Sequence, residues 1–353
     1  SFGASVVERA LLDAICRVEH CTFAHAVRYN KFGIDPGAIH DSLAGLAPID
    51  WLPREPTRSI YVRHTVGLSD PLTSSDIPVD ERLDDGFPQA LEEYVELCGL
   101  RYLKIKVSND LERDIDRLKV ISAIVQRNRG DHYGVTLDGN EQYANAEDFD
   151  VLIDAIQSES QLKTFWANVI AVEQPLERSI ALSDEHTGGI RDLSKTKPVI
   201  IDESDGTLDS YKNAIEIGYR GVSSKSCKGV VKSLLNAGLT WSHNDRGQTR
   251  DYIMTGEDLC TVGIVPVQSD LCLVATLGLE HIERNGHHYH RGLWYLPRQQ
   301  QAAALAAHGD FYAEQHGVVA PQLVDGRFDI GSLQCEGFGF AVEPDMSEMR
   351  TLV

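Results

Sequence analysis

Short apolar, β-branched segments recur along this chain with helical patterns between them, and this alternation restricts the fold more than any single residue. SIYVRHTV, YLKIKVS, YGVTLDGN, VIAVEQP, PVIIDES, GYRGVSSK and DYIMTG follow one another from about residue 58. Amphipathic stretches separate most of them. NDLERDIDRLKVISAIVQRN is the clearest, with Leu111, Ile115, Leu118, Ser122 and Val125 on one face and Asn109 or Asp110 as its cap. Strand–helix alternation at this spacing implies βαβ units around a parallel sheet. Seven or eight such units predict an α/β fold of the (β/α)7-8 TIM-type barrel kind rather than an open doubly wound sheet. No GxGxxG follows the first strand, which weakens the dinucleotide-binding alternative.

A chain of 353 residues accommodates one such barrel with appendages. Its 33 basic and 53 acidic residues give a net charge of −20, which argues against nucleic acid or an anionic membrane surface as the main partner. An anionic substrate then requires a site made locally positive by lysines or a metal. The seven cysteines form no CxxC pair and sit mostly in apolar stretches, so they read as reduced thiols of a cytoplasmic protein. No run is long and apolar enough for a membrane span, and no signal peptide is visible. The opening SFGASVVERALLDAICRV lacks a starting Met, so an N-terminal portion is expected to be missing. It enters a helix at once, with Val6, Ala10, Leu11, Ala14, Ile15 and Val18 on one face.

Charged residues end the apolar runs: Lys104 and Lys106, then Asp138, Glu173, Asp202 with Glu203, Lys225, and Glu257 with Asp258. Side chains at i and i+2 of a strand point the same way, so Lys104 and Lys106 face one space. In a barrel the C-terminal strand ends converge on one mouth, where catalytic groups gather. Three acids ending three consecutive strands, with lysines on strands to either side, exceed what composition would produce by chance.

The ordered motifs KIK at 104–106, LDGN at 137–140, VEQP at 172–175, IDES at 201–204 and SSK at 223–225 resemble the enolase superfamily. The likeness is to the mandelate racemase/muconate lactonizing enzyme family, in its muconate-lactonizing-like branch. It runs from about residue 4 to 345, including the closing PQLVDGRFDIGSLQCEGFGF. The resemblance implies an N-terminal α+β capping domain, of which residues 1–55 hold only the last helices. Residues 56–320 are then the catalytic barrel, and 321–353 a segment packing back on the cap. Members commonly assemble, so a homo-oligomer is expected.

The chemistry implied is Mg2+-dependent abstraction of a proton α to the carboxylate of a small-molecule substrate. Asp138, Glu173 and Asp202 are hard oxygen donors suited to an octahedral cation that keeps open positions. By the resemblance, Lys106 is the general base on one face and Lys225 the acid or base on the other. The charge of Lys104 is expected to lower the pKa of Lys106, since a free lysine near ~10.4 falls when a second cation stands close. Asn140 is a turn residue or a support for Asp138, and Glu203 a partner for a lysine. Lys228 competes with Lys225. Glu257 and Asp258 either touch substrate or cap the following helix.

In HIERNGHHYHRG, His287, His288 and His290 lack a zinc-ligand spacing and are expected near the eighth strand, with His287 a candidate substrate contact. Cys227, His64, His132 and His243 read as structural or surface residues. Racemisation or epimerisation, cycloisomerisation and dehydration of an acid sugar all use these same parts. Two alternatives remain: a class I aldolase with a Schiff base on Lys225, which would leave the three acids without a shared purpose, and a non-catalytic metal-binding barrel.

Overall fold

The structure, a computed structural model, describes residues 2–83, 85–247, 250–258, 261–284, 291–345 and 347. Eight strands form the barrel: β1 (Ser59–Val66), β2 (Tyr102–Lys106), β3 (Gly134–Asp138), β4 (Val169–Glu173), β5 (Val199–Ile201), β6 (Gly221–Lys225), β7 (Ile253–Glu257) and β8 (His281–Glu283). Each pairs in parallel with the next, and β8 returns to β1 through Tyr61–His281, Val62–Ile282 and Arg63–Glu283, closing the ring. The expected barrel is therefore complete at eight strands.

Both faces of these strands are covered. Outward-pointing Val62, Leu103, Ile105, Val135, Leu137, Val222 and Ile282 are buried against the helix layer. The helix Leu111–Arg129 supplies Leu118, Ile121, Ile124 and Val125, and Asp110 caps it by accepting from Arg113 N at 3.2 Å. Leu111, expected on the same face, is exposed. The helix Ala146–Ser158 adds Phe149, Leu152, Ile153 and Ile156. Among the described residues no helix is long and apolar enough to cross a membrane.

The N-terminal helix Phe2–Val18 corrects the expected face. Val6, Leu11 and Val18 are 45, 59 and 78% exposed, and Ala10 and Ala14 are also exposed. Its polar side is what meets the barrel. Glu8 accepts from Val230 N and Val231 N at 2.6 and 3.0 Å, capping the helix Val230–Arg246 that follows β6. Asp13 accepts from Phe338 N at 2.7 Å, and Arg17 donates to Phe340 O at 3.1 Å. Unfilled backbone groups at the barrel surface thus set the helix's orientation, and only Ser5, Leu12 and Cys16 are buried.

The C-terminal part divides between two neighbours. A hairpin of β9 (Tyr312–Gln315) and β10 (Val318–Pro321) precedes β11 (Arg327–Asp329), which pairs antiparallel with the start of β1. The following residues lie on the N-terminal helices, where the rings of Phe338 and Phe23 stack at 4.0 Å.

Candidate active site at the barrel mouth

Register sets the polar groups in a belt around the mouth. Lys106 is level with Asp138 and Asp138 with Glu173, while Lys225, Glu257 and Glu283 are level across β6, β7 and β8. Asp202 is the first residue after β5, so Asp202 and Glu203 lie past the strand end and not on it as alternate faces.

Lys104, one step deeper and 3% exposed, is the centre of this belt. Its ammonium donates to Glu173 Oε1 at 2.7 Å and Glu283 Oε2 at 2.8 Å, with Asp138 Oδ2 at 3.2 Å and Glu257 Oε1 at 3.5 Å. Burial alone would depress its pKa, but Asp138, Glu173, Glu257 and Glu283 outweigh burial and hold it well above the usual lysine range. The charge of Lys104 is met first by the carboxylates that surround it. Lys106 instead donates to Asn140 Oδ1.

Across the mouth, Lys225 lies 2.6 Å from Asp202 Oδ2 and 2.7 Å from Glu257 Oε2. Lys228 shares Asp202, at 2.6 Å from Oδ1 and 2.7 Å from its backbone O. Burial disfavours the charged form of Lys225, yet Glu257 and Asp202 push its pKa well above the ordinary value. For Asp202, burial and Glu257 act upward, and Lys228, Lys225 and Lys104 prevail to lower it.

The loops that carry the acids are shaped by close backbone approach. A Cβ on Gly139 would stand 2.5 Å from Pro175 Cα, so glycine lets the β3 and β4 loops touch. Asn140, Glu141 and Gln174 adopt left-handed backbone with φ of 44°, 65° and 34°. Such conformations persist where the surroundings over-determine them, and they concentrate at functional sites. Asn140 is both a turn residue and a support, since its backbone N–H donates to Asp138 Oδ1 at 2.8 Å while its side chain receives Lys106.

Among the described residues three acids converge: Glu173, Asp202 and Glu257 each place one oxygen within 4.8 Å of the others. The sequence assigned the third ligand position to Asp138, which here faces Lys104. All these donors are carboxylate oxygens, as a hard divalent cation requires. Glu173 is fully buried with Oε2 lacking a hydrogen-bond partner among the described residues, and burial with Glu257 pushes its pKa well above the usual range. A buried orphan oxygen of this kind is what a bound cation would satisfy. The residues therefore fit the metal expected from the sequence.

Other expected residues fall elsewhere. Glu203 is half-buried, its Oε2 has no hydrogen-bond partner among the described residues, and the charge of Lys225 acts on it from nearby. Burial, then Asp202 and Asp138, raise its pKa to about 7. Asp258 is buried against Arg284 and does not face the mouth, and neither it nor Glu257 caps the helix Val265–Leu277, which starts after Ile264. His287, His288 and His290 lie outside the described residues. His64 is on the outward face of β1 beside the Tyr94 ring, His132 is exposed, and His243 packs on Tyr252. The Cys227 thiol is half-buried and raised by burial.

Sequence reasoning passed over Glu283, Arg63 and Thr65. Arg63 is fully buried and lies 3.7 Å from Glu257, donating also to Gly256 O at 3.4 Å. Thr65 donates to Glu283, and Ser223 to Glu257. The signal was present: RHT, TLD, SSK, TGE and HIE each place polar residues two apart, as KIK does.

A cavity of about 1050 Å³ lies behind the outward face of β1 between the 67–90 loop and the helix Leu111–Arg129. It contains none of these carboxylates or lysines, so its size does not make it the reaction site.

No protein-family model matches the chain, and no curated protein matches it in sequence. Solved structures share its fold. The L-Ala-D/L-Glu epimerase from Bacillus subtilis is 13% identical, with 94% of this chain and 70% of that one covered and a TM-score of 0.57. The 3,6-anhydro-D-galactonate cycloisomerase from Zobellia galactanivorans is 16% identical, covering 98% and 73%, also at 0.57. A mandelate racemase/muconate lactonizing protein from Herpetosiphon aurantiacus is 16% identical, covering 83% and 65%, at 0.50. The chain thus spans about two thirds to three quarters of the length of these structures.

Proposed function

We propose that this chain is the barrel part of an enolase-superfamily enzyme that removes a proton α to the carboxylate of a small molecule. The observation that carries the reading is the placement of Lys106 and Lys225. They end β2 and β6, four strands apart in a ring of eight, and the carboxylates of Glu173 and Asp202 stand at the ends of strands between them. A flat carbon centre lying over those acids would present one face to each lysine.

Glu173 and Asp202, with Asp138 or Glu257 as the third donor, would hold Mg2+, which supplies positive charge beside the substrate carboxylate. Lys106, aligned by Asn140, accepts the α-proton; the C–H electron pair moves into the carboxylate. Lys225 stands charged between Asp202 and Glu257 and returns a proton to the opposite face, forming the new C–H bond. The net change is racemisation or epimerisation. A leaving group on the β-carbon would turn the same first step into elimination, and the fold relatives named as an epimerase and a cycloisomerase fit this range.

A Schiff-base aldolase on Lys225 would leave the converging carboxylates of Glu173, Asp202 and Glu257 without a shared role. The test is loss of the α-proton NMR signal in D2O with Mg2+, across acid sugars, dipeptides and N-acyl amino acids. Metal-dependent loss of that signal supports the reading. Mg2+ binding without exchange in any substrate class would favour a barrel that only binds.

A further inference from the structure

We infer that Gln174 is a positioning residue of the metal centre, fixing Asp202 relative to Glu173 through one fully used side-chain amide. This rests on the metal-binding reading of Glu173 and Asp202. Gln174 follows Glu173 directly and is fully buried. Its Oε1 accepts from Asp202 N at 2.8 Å and from Ser204 N at 3.2 Å. Its Nε2 donates to Leu176 O at 2.8 Å and to Ser204 Oγ at 2.7 Å. Both acceptor sites and both donors of the amide are therefore occupied.

The backbone of the same residue joins two further elements. Gln174 N donates to Ile200 O at 2.9 Å, and Glu141 N donates to Gln174 O at 3.0 Å. One residue thus ties the end of β4, the turn after β5 that presents Asp202, and the β3 loop that carries Asn140. It does so at φ 34°, a left-handed conformation that costs a non-glycine residue free energy. Glycine would take this backbone without strain, so a structural turn alone would not call for Gln. The side chain's hydrogen bonds to the ligand-bearing turn account for it. Groups that orient metal ligands from behind typically change metal affinity by ~10–100-fold when removed.

The test is Mn2+ binding to the full chain, read by EPR, for the parent, Gln174→Gly and Gln174→Met. Gly relieves the backbone strain, and Met keeps the volume if the Gly variant folds poorly. Arg129→Ala serves as a control, since it removes hydrogen bonds to Leu100 O and Val95 O before the start of β2, at the end of the barrel opposite the mouth. Expected are ~10–100-fold weaker Mn2+ binding and an altered bound-Mn2+ spectrum in the Gln174 variants, with the control binding as the parent does. Parent-like affinity and spectrum in folded Gln174 variants would overturn the inference alone. So would weakening in the control equal to that in the Gln174 variants, which would trace the effect to general stability. No Mn2+ binding by the parent would overturn the metal reading and this inference with it.

Discussion

Lys104 Nζ and Glu173 Oε1 meet at 2.7 Å inside the barrel, with Lys104 3% exposed and Glu173 fully buried. Asp138, Glu257 and Glu283 also face this one ammonium, at 3.2, 3.5 and 2.8 Å. Removing one partner of a buried ion pair leaves uncompensated charge and costs about 3–5 kcal/mol. Lys104→Met is accordingly expected to lower metal-free stability by about that amount in urea unfolding. Mg2+ should restore part of it by meeting Glu173. A loss no larger than that of an exposed lysine would contradict the central place given to Lys104.

Glu8 joins the N-terminal helix to the barrel by capping the helix behind Lys225 and Lys228. Glu8→Ala removes both accepted hydrogen bonds, and a lost cap costs typically ~1 kcal/mol, up to ~2. Thermal unfolding should shift down accordingly, with the Glu8→Gln variant between the two. No shift would mean that the helix docks by its few buried apolar residues alone.

Asp270 supplies a pH dependence away from the mouth. It is buried in the helix Val265–Leu277, and burial raises its pKa to about 7, against the hydrogen bond from Thr261 at 2.7 Å that acts downward. The folded state therefore keeps the neutral acid where the unfolded chain, near 3.8, has lost its proton. Its stability contribution is full below about pH 4 and is lost as pH rises through 7, with an upper bound on the order of 4 kcal/mol. Asp270→Asn should flatten the stability profile over this window in denaturant titrations at fixed ionic strength. An unchanged slope would show that Asp270 is ionised in the fold.

The closed barrel was legible because each strand must be apolar on its outward face, and the runs around Leu103, Val135 and Val222 carry that pattern. The acids and lysines at strand ends were legible because a barrel gathers them at one mouth. The role of Glu257 was not, because TGED shows two adjacent acids and only register with Lys225 and Glu283 turns one inward. Local amphipathicity misled at the first helix. Val6, Leu11 and Val18 read as a core face, but the helix after β6 and the closing segment offered backbone N–H groups that Glu8 and Asp13 could satisfy. Docking there was decided by hydrogen-bond needs of distant segments, which no window of sequence contains.

The central claim is that Lys106 and Lys225 address opposite faces of one carbon. It is tested most directly by α-proton exchange in D2O with each enantiomer of a responsive substrate, using the parent, Lys106→Ala and Lys225→Ala, each with Mg2+ and with EDTA. The account predicts that the parent exchanges both enantiomers only with Mg2+, and that each variant loses exchange of one enantiomer, a different one in each case. Exchange that survives EDTA, or that persists for both enantiomers in both variants, would contradict it.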